Sequence, residues 1–465
     1  MNPKTSVKLD HMHNTNNNTV SCKVTENVCL PDSDLPRVVI IGGGFAGLAL
    51  AQELKNKPVL VILIDKNNFH QFQPLLYQVA TSALEPDSIV FPFRKQFKGY
   101  KNVVFRLAEV EEIQSSLNTV VTNKGILTYD YLVLATGTTT NFFGMDSVAE
   151  NSLGMKDIRD SLNIRHMMLQ NLEQAAITCN DDERDALTNF VIVGGGPAGV
   201  EMAGALAEFC KYILPKDYPE YPSSLMNIYL IEANHELLGT MSDKASSKTL
   251  KYLKDLNVKV LLSESVSDYD GSQVSTKSGK KILAKNLIWT AGVKGQYPKG
   301  IDEKHVVRGN RIKTDPFLKV EGYDNIFAIG DIASLISENT PKGHPQVAQV
   351  AIQQGTFLAK ALLDTIDKKP LKKSFQYNDK GSMATVGKRR AVADLGKFKF
   401  GGYLAWLLWS IVHLMSISGF RNRLIVGFNW AISYFTYEKS NRVIIRNFKP
   451  KARLEQTTNI NSEKI

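Results

Sequence analysis

Cysteine is scarce in this chain of 465 residues: four in all, at positions 22, 29, 179 and 210, with no C-x-x-C pair and no Cys/His metal spacing. That leaves no metal site to propose, and it makes a reducing compartment the simpler assumption. Long apolar runs are missing too. The longest, Tyr403 to Phe420, holds eighteen residues without a fixed charge, short of the ~20 that a spanning helix needs. No signal-peptide core and no Arg-rich leader precedes residue 37. Residues 1–36 are polar, rich in Asn and Thr, and are expected to be a disordered extension. Acidic side chains are nearly absent from the carboxyl end. Net charge is +10, yet from Lys380 to Arg453 fourteen Lys or Arg meet only Asp394 and Glu438, so the remainder is slightly negative. A nucleic-acid binder would also be basic. Here the charge is confined to one end and mixed with Trp, Phe and Leu, which favours an anionic lipid bilayer surface and no nucleic acid.

What is present is glycine in two special places. Residues 37 to 47, RVVIIGGGFAG, read as a buried strand, a glycine turn and the first turn of a helix. In the G-x-G-x-x-G pattern Gly42 permits the tight turn, Gly44 lets backbone approach a pyrophosphate, and Gly47 lets helix pack closely on strand. Phe45 and Ala46 begin that helix, whose N-terminus offers free N–H groups to phosphates. A second apolar run, Val59 to Ile64, ends in Asp65, a carboxylate placed to accept from an adenosine ribose. The pattern returns at Phe190 to Glu201, FVIVGGGPAGVE, with Gly194, Gly196, Pro197, Ala198 and Gly199. Two fingerprints roughly 150 residues apart imply two dinucleotides. The second strand after this turn ends in Glu232, with no Arg close behind it, a pattern that favours NADH over NADPH.

Other stretches fit the same plan. YLVLATG, ending in Thr136 and Gly137, marks where the chain leaves the first nucleotide fold, and LIWTAGV, with Gly292, marks its return. The segment from Thr314 to Asp331 resembles a second flavin motif, in which Asp331 would bond the ribityl chain and a nearby helix would face the flavin. FQPLLYQVATSALEP, Phe72 to Pro86, lacks the redox cysteine pair that disulfide reductases carry here; Pro74, Leu75, Leu76 and Thr81 line an apolar pocket or simply pack a helix on the sheet. Glu201 lies in the first turn of the second glycine helix, either as a carboxylate favoured by the helix dipole or as a group facing nicotinamide and flavin. Gln349 and Gln353, four apart, share one helix face.

Taken together, GGGFAG, GGGPAGVE, WTAGV, AIGD and the A-Q-x-A-x-Q-x-G pattern of Ala348, Gln349, Ala351, Gln353 and Gly355 resemble the type II NADH dehydrogenases, single-subunit NADH:quinone oxidoreductases of respiratory membranes, from about Arg37 to Arg446. The resemblance implies an α/β protein with two Rossmann-like dinucleotide-binding domains, the FAD domain interrupted by the NADH domain, plus a carboxyl-terminal amphipathic helical membrane-anchoring region. The expected boundaries are 37–150 and 294–380 for FAD, 151–293 for NADH, 381–450 for the membrane region and 451–465 for a flexible tail. It implies non-covalent FAD, NADH, ubiquinone or menaquinone as acceptor, no proton pumping, a homodimer, and a peripheral position on the cytoplasmic face of a bacterial inner membrane. Glu201, Gln349 and Gln353 become the catalytic candidates. Gly42, Gly44, Phe45, Ala46, Gly47, Asp65, Thr136, Gly137, Asp331 and Gln349 are assigned to FAD, and Gly194, Gly196, Pro197, Ala198, Gly199, Glu201, Glu232 and Gly292 to NADH. Asp65 stands where Glu is more usual. Lys388, Arg389 and Arg390 are expected to be a solvated or lipid-facing cluster, and Trp406, Trp409 and Trp430 to anchor interfacial helices. Competing readings are a sulfide:quinone oxidoreductase or soluble reductase, which would need placed cysteines, and a non-catalytic flavoprotein using its basic end to bind a partner.

Overall fold

Alternation along the first strand sets the layers. In the computed structural model, which describes residues 27–219, 226–338, 340–437 and 441–448, strand Arg37–Ile41 lies at the centre of a five-stranded parallel sheet. The sheet runs Ile326–Ala328, Tyr131–Leu134, Arg37–Ile41, Leu60–Asp65, Val103–Leu107. Val38 and Ile40 point to one face, where helices Phe45–Glu53 and Ala348–Ile366 cover them. Val39 and Ile41 point to the other, against Ile113, Val120 and Leu127 of a three-stranded antiparallel sheet. Burial on both faces explains why the strand is apolar throughout. Gly355 brings the two helices together, since a Cβ there would lie 2.5 Å from the Ala46 carbonyl oxygen.

The same design recurs. A second parallel sheet runs Leu153–Gly154, Asn286–Trp289, Phe190–Val193, Ile228–Ile231, Lys259–Leu261, with Phe190 and Ile192 on one side and Val191 and Val193 packed on a second antiparallel triplet through Tyr269, Val274 and Ile282. Chain exit and return lie side by side: Thr138–Thr140 pairs antiparallel with Val293–Gly295.

The carboxyl end adds a small antiparallel sheet, Ser382–Gly387, Arg390–Leu395 and Phe398–Gly401. It lies on the second glycine helix, Pro197–Tyr212, where Gly204 leaves room for the Val386 carbonyl that a Cβ would meet at 2.5 Å. Two helices follow, Tyr403–Ser416 and Phe420–Thr436. The eighteen-residue apolar stretch is therefore broken, because Ile417 is buried as a plug and Gly419 turns the chain at φ +87°. Among the described residues no helix is long and apolar enough to cross a membrane. Each helix nonetheless carries an exposed apolar stripe: Leu404, Ile411 and Met415 on the first, and Phe420, Leu424, Phe428 and Phe435 on the second. The tryptophans depart from expectation. Trp409 is 2% exposed in the main core, and the Trp430 indole N–H donates to Gln78 Oε1 at 2.8 Å, so both pin the helices to the body. Trp406 stacks between Tyr403 and Tyr434.

Two further differences concern the ends of elements. Of the expected disordered extension, residues 1–26, with Cys22, lie outside the described residues, whereas Val28 donates to the Ile126 carbonyl at 3.0 Å and packs with Leu30 into the core. After Gly330 and Asp331 the chain makes a short turn and strand Ala333–Leu335; the helix expected nearby begins only at Ala348.

Candidate functional site

A cleft of about 380 Å³ opens over the carboxyl ends of the first sheet. Its floor is the glycine turn. Gly42 sits at φ +102°, and a Cβ there would lie 2.3 Å from the Ala135 carbonyl oxygen; Gly47 would place one 1.9 Å from the Gly42 oxygen. These two glycines serve the fold. Gly44 is different: a Cβ on it meets nothing within 4 Å, because it faces the cleft. Asp65 closes one end, its Oδ2 accepting from Gly43 N and its Oδ1 from Asn67 N, both at 2.7 Å. Burial raises its pKa while those two N–H groups pull it back. Phe45, Ala46, Thr136 and Gly137 line the walls. The Thr136 hydroxyl is buried with no hydrogen-bond partner among the described residues, a state that costs free energy unless a ligand satisfies it. Asp331 lines the cleft too, accepting from Thr138 Oγ1 at 3.3 Å and lying 3.7 Å from Lys156 Nζ. Gly cradle, carboxylate at the ribose position and orphan hydroxyl fit an adenine dinucleotide such as FAD. Among the described residues no cysteine lines this cleft.

The second glycine turn reproduces that frame. Gly194 has φ +109°, Gly199 again would set a Cβ 1.9 Å from the first glycine's oxygen, and Gly196 again meets nothing within 4 Å. Glu232 takes the place of Asp65: Oε2 accepts from Gly195 N at 2.5 Å and Oε1 from Asn234 N at 2.7 Å. Pro197 and Ala198 stand exposed at the helix start, and Gly292 lies against the Phe143 ring.

Glu201 lies elsewhere. One turn into its helix, it points away from the glycine loop into a pocket of about 110 Å³ shared with Tyr77, Thr81, Thr385, Trp409 and Trp430. It accepts from Thr385 N at 3.4 Å, and burial drives its pKa up to about 8 despite that bond and the facing Trp409 indole. Thr81 is thus beside this pocket, while Leu75 and Leu76 are core residues. His413, stacked on Trp409 at 4.1 Å, is pushed down to about 4 by burial and is neutral at pH 7.

Gln349 and Gln353 do share a helix face, and both clamp one strand of backbone. Gln349 Nε2 donates to the Gly381 carbonyl at 2.8 Å, and Gln353 exchanges bonds with Asn378 at 2.9 and 3.0 Å. Neither lines the cleft. Their neighbours do the work at Asp331: Gln354 Oε1 accepts from Gly330 N at 2.7 Å, and Gln346 Nε2 donates to the Asp331 carbonyl at 2.9 Å. Helix periodicity could have found Gln354, which falls on the buried stripe of Ala351, Gly355 and Leu358. The basic cluster is only partly solvated. Lys388 lies 4.5 and 3.6 Å from the rings of Tyr434 and Tyr437, and Arg389 Nε donates to the Tyr434 hydroxyl at 3.0 Å, so the pair fastens the last helix to the hairpin.

Residues 36–355 match the family model of pyridine nucleotide-disulphide oxidoreductases, and residues 380–437 that of the NDH2 C-terminal domain. The chain is 36% identical over 86% of its length to the type II NADH:quinone oxidoreductase NdhA of Mycobacterium tuberculosis, covering 87% of that protein. It is 34% identical over 92% to Ndh of the same organism, covering 94%. Its fold is similar to the solved structure of NDH2 from Plasmodium falciparum in complex with NADH: TM-score 0.80, 22% identity, 88% of this chain and 100% of that one.

Proposed function

The chain belongs to the type II NADH:quinone oxidoreductase family, and from that premise we propose how its residues carry two electrons from NADH through non-covalent FAD to a membrane quinone without pumping protons. The observation that carries the reading is the duplicated frame: two glycine turns, each with one glycine open to ligand and a carboxylate bonded to the neighbouring N–H. In the first frame Gly42, Gly44, Phe45, Ala46, Gly47, Asp65, Thr136, Gly137 and Asp331 hold FAD. In the second Gly194, Gly196, Pro197, Ala198, Gly199, Glu232 and Gly292 hold NADH, with Glu232 repelling a 2′-phosphate. Bound FAD supplies the two-electron relay between the two substrates; the protein supplies position and electrostatics.

The aromatic pocket around Glu201 supports a place for the quinone head. It is walled largely by aromatic rings, with Glu208 and Lys388 also on its lining, lies beneath helices whose outer faces are greasy, and holds the Glu201 carboxyl, which burial keeps protonated up to about pH 8. Glu201 there holds a proton at its carboxyl oxygen, where reduction of a quinone requires one. Gln349 and Gln353 act through the segment they clamp, fixing residues 378–381 ahead of the strand that bears Thr385. The exposed stripes rest on a lipid surface without crossing it. A homodimer, and a position on the cytoplasmic face of a bacterial inner membrane, complete the proposal on family grounds.

Steady-state assay tests the reading. Purified protein should oxidise NADH with a soluble quinone, work poorly with NADPH, and lose quinone turnover more than ferricyanide turnover when Thr81 or Ala205, both lining the pocket, is enlarged to Phe. Equal loss with both acceptors would remove the quinone from this pocket.

A further inference from the structure

Lys156 has no part in the assignments above, yet its ammonium lines the dinucleotide cleft. It comes from the other half of the molecule. Strand Leu153–Gly154 belongs to the second sheet, and Lys156 follows two residues later, just ahead of helix Ile158–Ile177. Its backbone is held on both sides: Lys156 N donates to Asp160 Oδ2 at 2.8 Å, and its carbonyl accepts from Gln71 Nε2 at 3.5 Å. Gln71 also accepts from Ile158 N at 3.0 Å. From that fixed base the side chain, 24% exposed, reaches across to Asp331, Nζ to Oδ2 at 3.7 Å. That distance makes an ion pair rather than a hydrogen bond. Among the described residues Nζ has no hydrogen-bond acceptor, so all three of its donors are open to the cleft.

The charges around it explain what it can do. The cleft wall carries Asp65, Glu109, Asp157, Asp160 and Asp331 against only Lys66 and Lys156. Lys66 stands next to Asp65, at the opposite end from Asp331. Arg311 also feels Asp331, but its guanidinium is engaged with the carbonyls of Ala333 and His344. Asp157 and Asp160 are tied into a helix capping box. Asp331 and Lys156 are therefore the opposed charges nearest whatever part of the dinucleotide lies by the Gly330 turn.

We propose that Lys156 is a positioning residue that raises the reduction potential of the flavin, by offsetting Asp331 and presenting a positive charge to a ring system that becomes more negative when reduced. The inference rests on FAD occupying this cleft with its flavin end at Asp331. Because Lys156 is carried by the NADH-binding half, it also makes that potential depend on how the two halves are docked.

Spectroelectrochemical titration of the bound flavin tests this. Lys156→Met should lower the midpoint by at least about 30 mV, a tenfold change in the two-electron equilibrium, while Lys156→Arg keeps the wild-type value. Asp331→Asn should move it the other way, an opposition of sign that loosened packing does not produce. A loaded Lys156→Met protein with unchanged potential overturns the inference and leaves the cleft assignment standing. If that variant fails to retain FAD, Asp331→Asn carries the test, and a potential not above wild type overturns it. Gly44→Val separates the two levels: its side chain meets only the cleft, so a variant that folds and still holds a full complement of FAD overturns the cleft assignment itself.

Discussion

Replacing Gly196 with valine should abolish NADH binding while leaving fold and flavin intact. Gly196 has φ −72° and ψ −179°, an extended conformation that valine adopts readily. A Cβ there meets nothing within 4 Å, whereas at Gly194 and Gly199 it would meet backbone at 2.7 and 1.9 Å. Less freedom in the unfolded chain stabilises by about 0.4–1 kcal/mol and loss of a glycine N-cap costs a similar amount. Net stability should therefore change by less than about 1 kcal/mol, roughly 2–4 °C in Tm. The side chain would occupy the space above the helix start and push a pyrophosphate off its N–H groups. Two charge-assisted bonds at about 1.5–3 kcal/mol each come to roughly 3–6 kcal/mol, or about 10²- to 10⁴-fold in Kd. Anaerobic NADH titration reads the Kd, and dithionite followed by quinone reads the untouched second half. A Gly196→Val protein that binds NADH normally, or that loses FAD along with NADH, would contradict a role for Gly196 confined to NADH.

Three other variants probe separate parts. Glu201→Gln bears on pH: the folded pKa of about 8 exceeds the usual 4.5, so the wild type loses stability as pH rises from about 4.5 to 8, where the unfolded chain has released the proton and the folded one has not. Thermal melts should show Glu201→Gln gaining on wild type across that window, and kcat with quinone should lose an inflection near pH 8; parallel curves would contradict a buried, protonated carboxyl. Glu232→Ala removes the acceptor for Gly195 N and Asn234 N, so KM for NADH should rise and the preference over NADPH narrow; an unchanged ratio of kcat/KM would place specificity elsewhere. Leu424, Phe428 and Phe435 changed together to Ser should release the enzyme from vesicles while ferricyanide activity persists, because these side chains are exposed; retention on the membrane would deny the stripe its role.

Local chemistry was legible in the sequence, and distant pairing was not. The two glycine turns, the apolar strands feeding them, and Asp65 and Glu232 at the ends of the next strands all follow from short-range constraints: a positive φ, a close helix and strand, a carboxylate one strand away. The repeated fingerprint thus announced a repeated α/β fold. Composition also located the apolar carboxyl end, but took its tryptophans for interfacial anchors. Nothing near Trp430 encodes its bond to Gln78, 352 residues away, and nothing near Trp409 says that it covers Glu201. For the same reason the sequence places Glu201 only beside the glycine loop it adjoins. Its helix turns it toward Thr385 instead, 184 residues on. Lys156 and Asp331 meet across the two halves, so neither could name the other. Gln349 and Gln353 were found by their spacing, but spacing gives a face and not what lies against it.

The central claim is that one flavin takes electrons from NADH and gives them to quinone on the same chain, and anaerobic double-mixing stopped flow tests it most directly. One equivalent of NADH should bleach the flavin absorption, the same amount of NADPH should do so far more slowly, and a second push with quinone should restore the oxidised spectrum. A flavin that NADH leaves oxidised, or that once reduced is restored by ferricyanide and not by quinone, would contradict the account.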